Sequence, residues 1–296
     1  MISAFCTEMG IRLEKDVSLS EHTTFRIGGP ADVAVYPNTT KQAAALMRFL
    51  TEQKIRHFIL GRGSDILADD EGYRGVLVLT RELNSLAQDG NLITAGGGCS
   101  MASVANLAQK SGLKGLEFLH GIPGTIGGGV FMNAGAYGSE ISAFIHSVEW
   151  VDPNGMIHNS SAEELDFSYR HSYFSEHSGL ICSVVFQCEA GDPNEIRAIT
   201  NDLDSRRREK QPLEYPSAGS AFKRPVGHFA GKLIEDAGLK GYSVGDACVS
   251  EKHAGFIINK GNATAKDVKA LIGHVTQTVL AQSGVLLEPE IRFLEQ

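Results

Sequence analysis

The sequence predicts an α+β fold in two parts, and three observations support this. Apolar runs typical of buried strands alternate with segments of helical spacing over roughly the first 200 residues. A basic cluster and two prolines in "RRREKQPLEYP" (206–216) interrupt the alternation. The residues that follow contain two helices and a final strand. We therefore expect one domain at 1–205 and a second at 206–296.

Each predicted element has a local signal. The tripeptide Pro-Asn-Gly at 153–155, between two runs of alternating apolar and polar residues, predicts a β-hairpin. Asp192 as N-cap and Pro193 at the first helical position predict a helix start, and Thr264 with Asp267 predicts a capping box. Apolar spacing favours helices at 41–53, 100–112, 229–238 and 264–284, and strands at 56–61, 75–80, 91–98, 180–189 and 285–294.

The composition limits the classes of function. The 296 residues are 42% hydrophobic, which is enough apolar material for a sizeable core. The formal net charge of −8 disfavours a nucleic acid or an anionic membrane as the main partner, but a local cluster of donors can still bind a small anion. Five widely spaced cysteines without a CxxC motif fit reduced thiols in a cytosolic protein. We identify no signal peptide and no membrane-spanning run.

Several common cofactor signatures are missing. The glycines at 61–63 and at 96–98 do not continue into G-x-G-x-x-G, and neither a Walker A motif nor H-E-x-x-H occurs. The ten histidines have no spacing typical of metal ligands. The sequence therefore predicts no Rossmann-type dinucleotide site and no metal.

Two glycine-rich stretches remain, "LGRGSDIL" (60–67) and "GIPGTIGGGVFMNAGAYG" (121–138). The second contains seven glycines and no charge, so we expect turns there rather than a helix. Glycine lets backbone N–H groups converge on phosphate oxygens without a cationic side chain, and Thr125 and Asn133 could add side-chain donors. The alternative is a tight structural turn between strands, and glycine content alone does not decide between the two.

Two stretches contain residue types suited to acid–base chemistry. In "DFSYRHSYF", Tyr169 and Arg170 lie among aromatic and hydroxyl groups, and an arginine fork suits a carboxylate or phosphate. In "EYPSAGSAFKRP", Ser220 lies in a Gly- and Pro-bounded turn with Lys223 nearby, so its hydroxyl could donate a proton. A surface arginine and an ordinary Ser-Gly turn are the alternatives, and no G-x-S-x-G elbow points to a hydrolase.

The C-terminal stretch "LEPEIRFL" places charged residues on one face of the predicted last strand. Glu288, Glu290 and Arg292 would share that face, with apolar residues on the other. A solvated ion pair is the usual outcome of such a pattern, and a cleft lined by these groups is the other.

Taken together, these motifs resemble the UDP-N-acetylenolpyruvoylglucosamine reductase family, which are flavoenzymes of peptidoglycan synthesis. The resemblance runs from "HTTFRIGGPADV" (22–33) to "EPEIRF" and includes "GRGSDIL", the long glycine-rich stretch, "YRHSYF" and "AGSAFKRP" in that order. Several unrelated motifs in a fixed order are more specific than any one of them. The segment "KQPLEYPSAGSAFKRP" is similar to the corresponding segment in the shorter, type II form of the family.

The resemblance implies a flavin fold of the vanillyl-alcohol-oxidase (PCMH) type. Residues 1–205 would form two α+β subdomains divided near residue 80 that bind FAD non-covalently. Residues 206–296 would form an α+β domain over the substrate, and their last strand would return toward the flavin. The residues then expected at the cofactor are Gly61, Arg62, Gly63, Ser64, Asp65, Ile66, Gly121, Ile122, Pro123, Gly124, Thr125, Gly127, Gly128, Asn133, Ala134, Gly135 and Gly138.

The resemblance also implies a reaction. NADPH is the co-substrate, and UDP-N-acetylglucosamine enolpyruvate is reduced to UDP-N-acetylmuramate. Hydride passes through the flavin to the vinyl carbon distal to the ether oxygen, and the carbon bearing the carboxylate takes a proton. Arg170 matches the arginine near that carboxylate, Ser220 the proton donor, and Glu290 the acidic residue, protonated when it acts. The residues expected to contact the substrate are Tyr169, Lys210, Lys223 and Arg224.

Two positions depart from the family pattern. Asp65 stands where Asn is common, and its charge would oppose a nearby phosphate unless a partner such as Arg62 neutralises it. Arg224 stands where the longer form usually has Asn, which affects the substrate contacts of this stretch. Neither departure touches the three catalytic positions.

Two other functions remain open on sequence grounds. A flavin oxidase of an alcohol or aldehyde would turn over with oxygen and without NADPH, but it leaves the match of Ser220 and Glu290 unexplained. A non-redox module for nucleotide sugars could use the same glycine-rich stretches and would be colourless. In each case the expected partner is a small molecule.

Overall fold

The structure is a computed structural model that describes residues 1–295, and it divides into two compact units. Unit 1 comprises Met1–Lys15, Val33–Arg62 and Gly75–Arg206. Unit 2 comprises Asp16–Asp32, Gly63–Arg74 and Arg207–Gln296. Unit 2 therefore combines the C-terminal part of the chain with two short stretches from its N-terminal part.

Helices and strands are mixed throughout the described chain, which confirms the α+β class. The helices are Ile2–Met9 (α1), Thr40–Glu52 (α2), Met101–Lys110 (α3), Ile126–Phe131 (α4), Pro193–Lys210 (α5), Ala230–Asp236 (α6) and Ala265–Ser283 (α7). The strands up to the middle of the chain are Arg12–Ser18 (β1), Pro30–Tyr36 (β2), His57–Leu60 (β3), Ile66–Ala68 (β4), Tyr73–Leu79 (β5), Leu86–Asp89 (β6), Leu92–Gly96 (β7), Leu113–Lys114 (β8), Gly135–Ala136 (β9) and Ser139–Glu140 (β10). The later strands are Ile145–Val151 (β11), Ile157–Ser160 (β12), Leu180–Gln187 (β13), Glu189–Ala190 (β14), Ser217–Ser220 (β15), Ser243–Val244 (β16), Ala247–Val249 (β17), Phe256–Asn259 (β18) and Arg292–Leu294 (β19).

Unit 1 is built on a five-stranded antiparallel sheet in the order β12-β11-β13-β7-β6. Helices α3 and α4 pack against this sheet, and α2 packs against β11 and β13. The predicted hairpin is confirmed, because β11 and β12 pair across the turn at 153–155, where Gly155 has φ 77°. A four-stranded sheet, in the order β1-β2-β5-β3, includes a parallel pairing of β3 with β5.

Unit 2 has an antiparallel sheet in the order β15-β18-β17-β16, with α7 packed on β16 and β17 and α6 packed on α7. The apolar stripe of α7 is buried at the spacing that a helix requires, as at Val268, Leu271 and Val275. The predicted capping box is confirmed: Thr264 Oγ1 accepts from the Asp267 N–H, and Asp267 Oδ2 accepts from the Thr264 N–H, both at 3.0 Å.

The prediction of turns rather than a helix within 121–138 is wrong for α4. Thr125 caps this helix, because its hydroxyl accepts from the Gly128 N–H at 3.3 Å. The glycines serve close packing here, since a Cβ at Gly129 would lie 2.9 Å from Met101 Cε. Glycine in α4 is therefore explained by a neighbouring helix as well as by turns.

The predicted strand at 285–294 is wrong over most of its length. Only β19, at its end, pairs, and it does so in parallel with β4. Pro289, which has no N–H to donate, forms a single bridge with Phe222. Glu288 and Glu290 thus lie outside a regular strand, on either side of the bridging Pro289.

All five cysteines are buried and free. Burial raises the pKa of the Cys6 and Cys188 thiols to about 11 and that of Cys182 to about 12. None of the helices formed by residues 1–295 has both the length and the apolar character that crossing a bilayer requires.

Candidate flavin and substrate site

The two glycine-rich stretches meet in unit 1 at Gly61 and Thr125. Gly61 directly follows β3, and Thr125 directly precedes α4. A Cβ at position 61 would overlap Thr125 Oγ1 and would lie 3.3 Å from two of its carbons. Glycine at this position therefore permits the observed approach of the Gly61 backbone to the Thr125 side chain.

Most of the backbone donors of α4 are already used within the protein. The N–H groups of Ile126 and Gly127 donate to the carbonyls of Cys99 and Gly97, each at 2.8 Å. The N–H of Gly129 donates to the Thr125 carbonyl at 2.8 Å. Donors for a diphosphate must consequently come from the residues before the helix rather than from the glycine triplet inside it.

Residues 63–66 lie in unit 2. Gly63 has φ 64°, and a Cβ there would collide with the backbone of His22 and Thr23, so this position also requires glycine. The backbone carbonyl of Asp65 accepts a hydrogen bond from the N–H of Arg292 at 2.9 Å.

The charges of Asp65 and Arg292 act on each other. Desolvation lowers the pKa of the Arg292 guanidinium, and the negative charge of Asp65 opposes that shift. Arg292 therefore supplies a positive charge close to the acidic residue whose presence in this stretch departs from the family pattern.

Asn133 is 1% exposed and uses its whole amide within unit 1. Its Nδ2 donates to Glu140 Oε2 and to the Ser168 carbonyl, both at 2.9 Å, and its Oδ1 accepts from the Ser142 N–H at 3.3 Å. From the sequence we proposed that the Asn133 side chain could donate to the cofactor. In the structure this side chain joins the glycine-rich stretch to the stretch that contains Arg170.

Arg170 lies at the third position of a tight turn. The N–H and carbonyl groups of Ser168 and His171 pair with each other at 3.2 and 3.1 Å. Arg170 has φ 55°, and its Nη2 donates to the Gly135 carbonyl at 3.3 Å. Tyr169 beside it is 49% exposed, and its ring centroid is 5.1 Å from the guanidinium carbon.

Ser220 and Glu290 belong to neighbouring backbone segments of unit 2. The Glu290 N–H donates to the carbonyl of Ala221, the residue after Ser220, at 2.9 Å. Ser220 Oγ donates to the Phe222 carbonyl at 3.4 Å, a long and weak hydrogen bond that a ligand could replace. The preceding Gly219 has φ 73°, and no heavy atom lies within 4 Å of where its Cβ would be.

Three of the four expected substrate contacts, Lys210, Lys223 and Arg224, belong to unit 2, whereas Tyr169 belongs to unit 1. Lys223 Nζ is 3.6 Å from Glu288 Oε2, and both side chains are exposed. Arg224 Nε donates to the His228 carbonyl at 3.3 Å, and its guanidinium stacks 4.0 Å from the Phe229 ring centroid. Lys210, another expected substrate contact, is exposed at the last position of α5.

The sequence did not predict two side-chain contacts in unit 1, that of Glu140 with Asn133 and that of His120 with Asp204. Glu140 stands in "GAYGSE", and only its contact with Asn133 identifies it. His120 directly precedes the glycine-rich stretch, and its Nδ1 lies 2.8 Å from Asp204 Oδ2 on α5. Both residues flank the glycine-rich stretch, but neither belongs to a motif of recognised spacing, so no sequence pattern pointed to these contacts.

The residues present fit a dinucleotide diphosphate. The first part of the glycine-rich stretch offers backbone N–H groups in a segment without charge, and the glycine at position 61 brings the segment after β3, which contains Arg62, against Thr125. Open space adjoins Gly138, where no heavy atom lies within 4 Å of a built Cβ. FAD can thus be held by main-chain donors without a Rossmann motif.

Comparison with known proteins agrees with this geometry. Residues 31–161 match the family described as an FAD binding domain. Residues 211–294 match the family described as UDP-N-acetylenolpyruvoylglucosamine reductase, C-terminal domain. Together the two matched ranges contain most of the residues discussed above.

Whole-length relatives have the same name. The UDP-N-acetylenolpyruvoylglucosamine reductase of Clostridium novyi (strain NT) is 49% identical over 95% of this chain and 92% of its own length. That of Caldicellulosiruptor bescii is 47% identical over 96% and 91%. The crystal structure of UDP-N-acetylenolpyruvylglucosamine reductase from Thermus caldophilus superposes with a TM-score of 0.83 at 34% identity, covering 96% of this chain and all of that one. The chain belongs to the UDP-N-acetylenolpyruvoylglucosamine reductase family.

Proposed function

We propose that this protein uses NADPH and bound FAD to reduce UDP-N-acetylglucosamine enolpyruvate to UDP-N-acetylmuramate. The observation that carries the proposal is the hydrogen bond from the Glu290 N–H to the Ala221 carbonyl, which sets the backbone of the glutamate beside Ser220 at the end of β15. Family membership supplies the reaction, and this pairing supplies neighbouring donor and acid positions for it.

We assign the cofactor in unit 1 to Gly61, Arg62 and the glycine-rich stretch. Residues 63–66, in unit 2, remain a prediction from the family resemblance. Because the N–H groups of Ile126, Gly127 and Gly129 are engaged within the protein, we assign the diphosphate to the backbone that precedes α4. Pro123 has no N–H there and the Ile122 N–H donates to the Leu119 carbonyl at 3.1 Å, so the donors would be the N–H groups of Gly121, Gly124 and Thr125. When bound, the flavin accepts hydride from NADPH and returns it to the enolpyruvyl vinyl group.

Arg170 stabilises the charge that develops on the substrate carboxylate. As hydride reaches the distal vinyl carbon, negative charge spreads from the adjacent carbon onto the carboxylate. A guanidinium is always charged and binds a carboxylate with two parallel hydrogen bonds. Arg170 therefore lowers the barrier without any proton transfer of its own.

Ser220 donates the proton to the carbon that bears the carboxylate. Its hydroxyl donates to the Phe222 carbonyl only at 3.4 Å, so little is lost when it turns to substrate. Glu290 acts in its protonated form as a hydrogen-bond donor, since an ionised carboxylate would repel the developing enolate. Proton transfer by a positioned group is worth about 10²- to 10⁴-fold in rate.

The nucleotide sugar contacts Tyr169, Lys210, Lys223 and Arg224. Lys223 is engaged only by the exposed carboxylate of Glu288 at 3.6 Å, a pair that a phosphate can replace at low cost. Arg224 is already oriented by the Phe229 ring and the His228 carbonyl. We place the reaction in the cytoplasm, where five buried free thiols remain reduced.

The test is NADPH oxidation by purified protein with and without the enolpyruvyl substrate, in the absence of oxygen. We expect oxidation to depend on the substrate with one NADPH consumed per product. Turnover that needs oxygen and no NADPH would favour a flavin oxidase instead. A colourless protein that binds UDP-sugars would favour a non-redox module.

A further inference from the structure

Arg170 adopts a backbone conformation that arginine rarely does. Its φ of 55° lies in the left-handed region, which bulky non-glycine residues enter at an energetic cost and keep only when the surroundings enforce it. Asn133, with φ 42°, also lies there. Asparagine enters this region readily, so it is the conformation of Arg170 that indicates control by the surrounding contacts rather than by local preference.

The network consists of three contacts that converge on this turn. Asn133 Nδ2 donates to the Ser168 carbonyl at 2.9 Å, at the first position of the turn. Arg170 Nη2 donates to the Gly135 carbonyl at 3.3 Å. Just beyond the turn, Ser172 Oγ donates to the Phe131 carbonyl at 2.8 Å. The segment at 131–135 thus holds both ends of the turn and the arginine side chain.

Glu140 orients the amide of Asn133. Its Oε2 accepts the second Nδ2 proton at 2.9 Å, so the amide cannot rotate without losing a bond at a site that is 1% exposed. Gly135 makes room for Glu140, because a Cβ at position 135 would lie 2.9 Å from Glu140 Cγ. The orientation of the amide and the position of the turn are therefore coupled.

We infer that Asn133 is a positioning residue for Arg170, with Glu140 as the group that orients it. This inference rests on the proposed function of Arg170 at the substrate carboxylate. The donated bond from Asn133 to the Ser168 carbonyl fixes the turn, and the turn fixes the guanidinium. Loss of that bond slows the half-reaction with the enolpyruvyl substrate and leaves flavin reduction by NADPH intact.

The experiment compares both half-reactions by stopped-flow absorbance in FAD-loaded protein. Asn133→Asp replaces both donors by acceptors, and we expect reoxidation by substrate to slow by roughly tenfold to a hundredfold, as misplacement of about 1 Å can do. Flavin reduction should stay within about twofold, since the variant keeps the backbone of the segment. Asn159→Asp, on the exposed part of β12, adds the same charge to unit 1 and should change neither rate.

A paired substitution separates positioning from mere folding. In Asn133→Asp/Glu140→Gln the new glutamine amide can donate to the new aspartate, so the contact between 133 and 140 returns but the one to the Ser168 carbonyl does not. We expect normal FAD content and a reoxidation rate that stays low. Glu140→Gln alone keeps an acceptor and should behave as wild type, whereas Glu140→Ala should slow reoxidation only.

Hydrogen–deuterium exchange gives a readout other than activity. The peptide containing 166–172 should exchange faster in Asn133→Asp and in the paired variant, and at the wild-type rate in Glu140→Gln. If the paired variant reoxidises as fast as wild type, or if both half-reactions fall together with FAD content, the inference is overturned. If Asn133→Asp does not fold, equal reoxidation rates for Glu140→Ala and Glu140→Gln would overturn it.

An Arg170→Ala arm distinguishes this inference from the proposed function. If reoxidation is slow in Arg170→Ala but normal in Asn133→Asp, the positioning role of Asn133 is contradicted, and the role proposed for Arg170 stands. Normal reoxidation in Arg170→Ala contradicts the role assigned to Arg170 itself.

Discussion

The Glu290 N–H donates to the carbonyl oxygen of Ala221 at 2.9 Å, and this bond joins the last segment of the chain to the end of β15, where Ser220 lies. A second bond, from the Lys223 N–H to the Glu288 carbonyl at 2.9 Å, continues the pairing. The two segments are about 70 residues apart in sequence, so their register depends on tertiary structure. In the proposed mechanism, this register would make the acid and the proton donor neighbours.

Ser220→Ala should separate the two half-reactions. We expect reoxidation of reduced flavin by the enolpyruvyl substrate to slow by about 10²- to 10⁴-fold, because the proton donor is lost. Flavin reduction by NADPH needs no such proton and should stay within about twofold. Stopped-flow absorbance measures both rates. Ser243→Ala, at an exposed serine of unit 2, is the control, and parallel loss of both rates in Ser220→Ala would remove Ser220 from its role.

Gly61→Ala should abolish flavin binding. The new Cβ would overlap Thr125 Oγ1, and Thr125 is 5% exposed and caps α4, so neither side can move freely. FAD content after purification and FAD titration of apoprotein measure the effect. Gly273→Ala is the matched control: it lies inside α7 with no atom within 4 Å of the new Cβ, and it should raise stability by about 0.5–1 kcal/mol. Full FAD content in Gly61→Ala would contradict the proposed meeting of the two stretches.

Arg292→Met should weaken FAD binding through Asp65. The guanidinium offsets the charge of Asp65, and its loss leaves a negative charge in a stretch assigned to the diphosphate. We expect the FAD dissociation constant to rise about tenfold, or about 1.4 kcal/mol. Flavin fluorescence during titration of apoprotein measures it.

Asp65→Asn in the Arg292→Met background provides the control for charge. It should restore most of the FAD affinity, because the uncompensated negative charge is gone. If the double variant binds FAD as weakly as Arg292→Met, then Arg292 supports the site by packing and not by charge.

Asp267→Ala should remove a pH-dependent contribution to stability. The N–H of Thr264 donates to the Asp267 carboxylate and lowers its pKa below the ordinary value near 3.9. A carboxyl with a lowered pKa in the folded state stabilises the protein above its unfolded pKa and loses that stabilisation as the pH falls through the folded one. The variant should therefore lose about 0.5–1 kcal/mol at pH 7 and little at pH 2–3.

Thermal melts between pH 2 and pH 7 measure this difference. Thr264→Ala is the comparison, because it removes the other half of the capping box without removing the titrating group. Its loss, about 1 kcal/mol, should persist at low pH. A difference between wild type and Asp267→Ala that does not change with pH would contradict the assignment.

Local signals were sufficient for some elements. The capping box of α7, the Pro193 start of α5 and the hairpin at 153–155 depend on neighbours within a few residues, and all three are present. The family and the flavin cofactor were also predictable, because several motifs occur in a fixed order.

Long-range contacts account for what the sequence did not predict. Helix α4 was missed because its glycines are explained by packing against Met101 and by bonds to the carbonyls of Gly97 and Cys99, none of which the local pattern contains. The length of the final strand was overestimated because the alternating pattern does not show which backbone groups it pairs with. The pairing partners lie in β4 and at Phe222. The side chain of Asn133 was assigned to the cofactor, since only the fold reveals that Glu140 and Ser168 occupy its donors.

The most direct test is the visible absorption spectrum of the purified protein under anaerobic conditions, recorded alone, after one equivalent of NADPH, and after addition of UDP-N-acetylglucosamine enolpyruvate. We predict a flavin spectrum that NADPH bleaches and the enolpyruvyl substrate restores, with UDP-N-acetylmuramate formed in equal amount. A bleached spectrum that the substrate leaves unchanged, while oxygen restores it, would contradict the account.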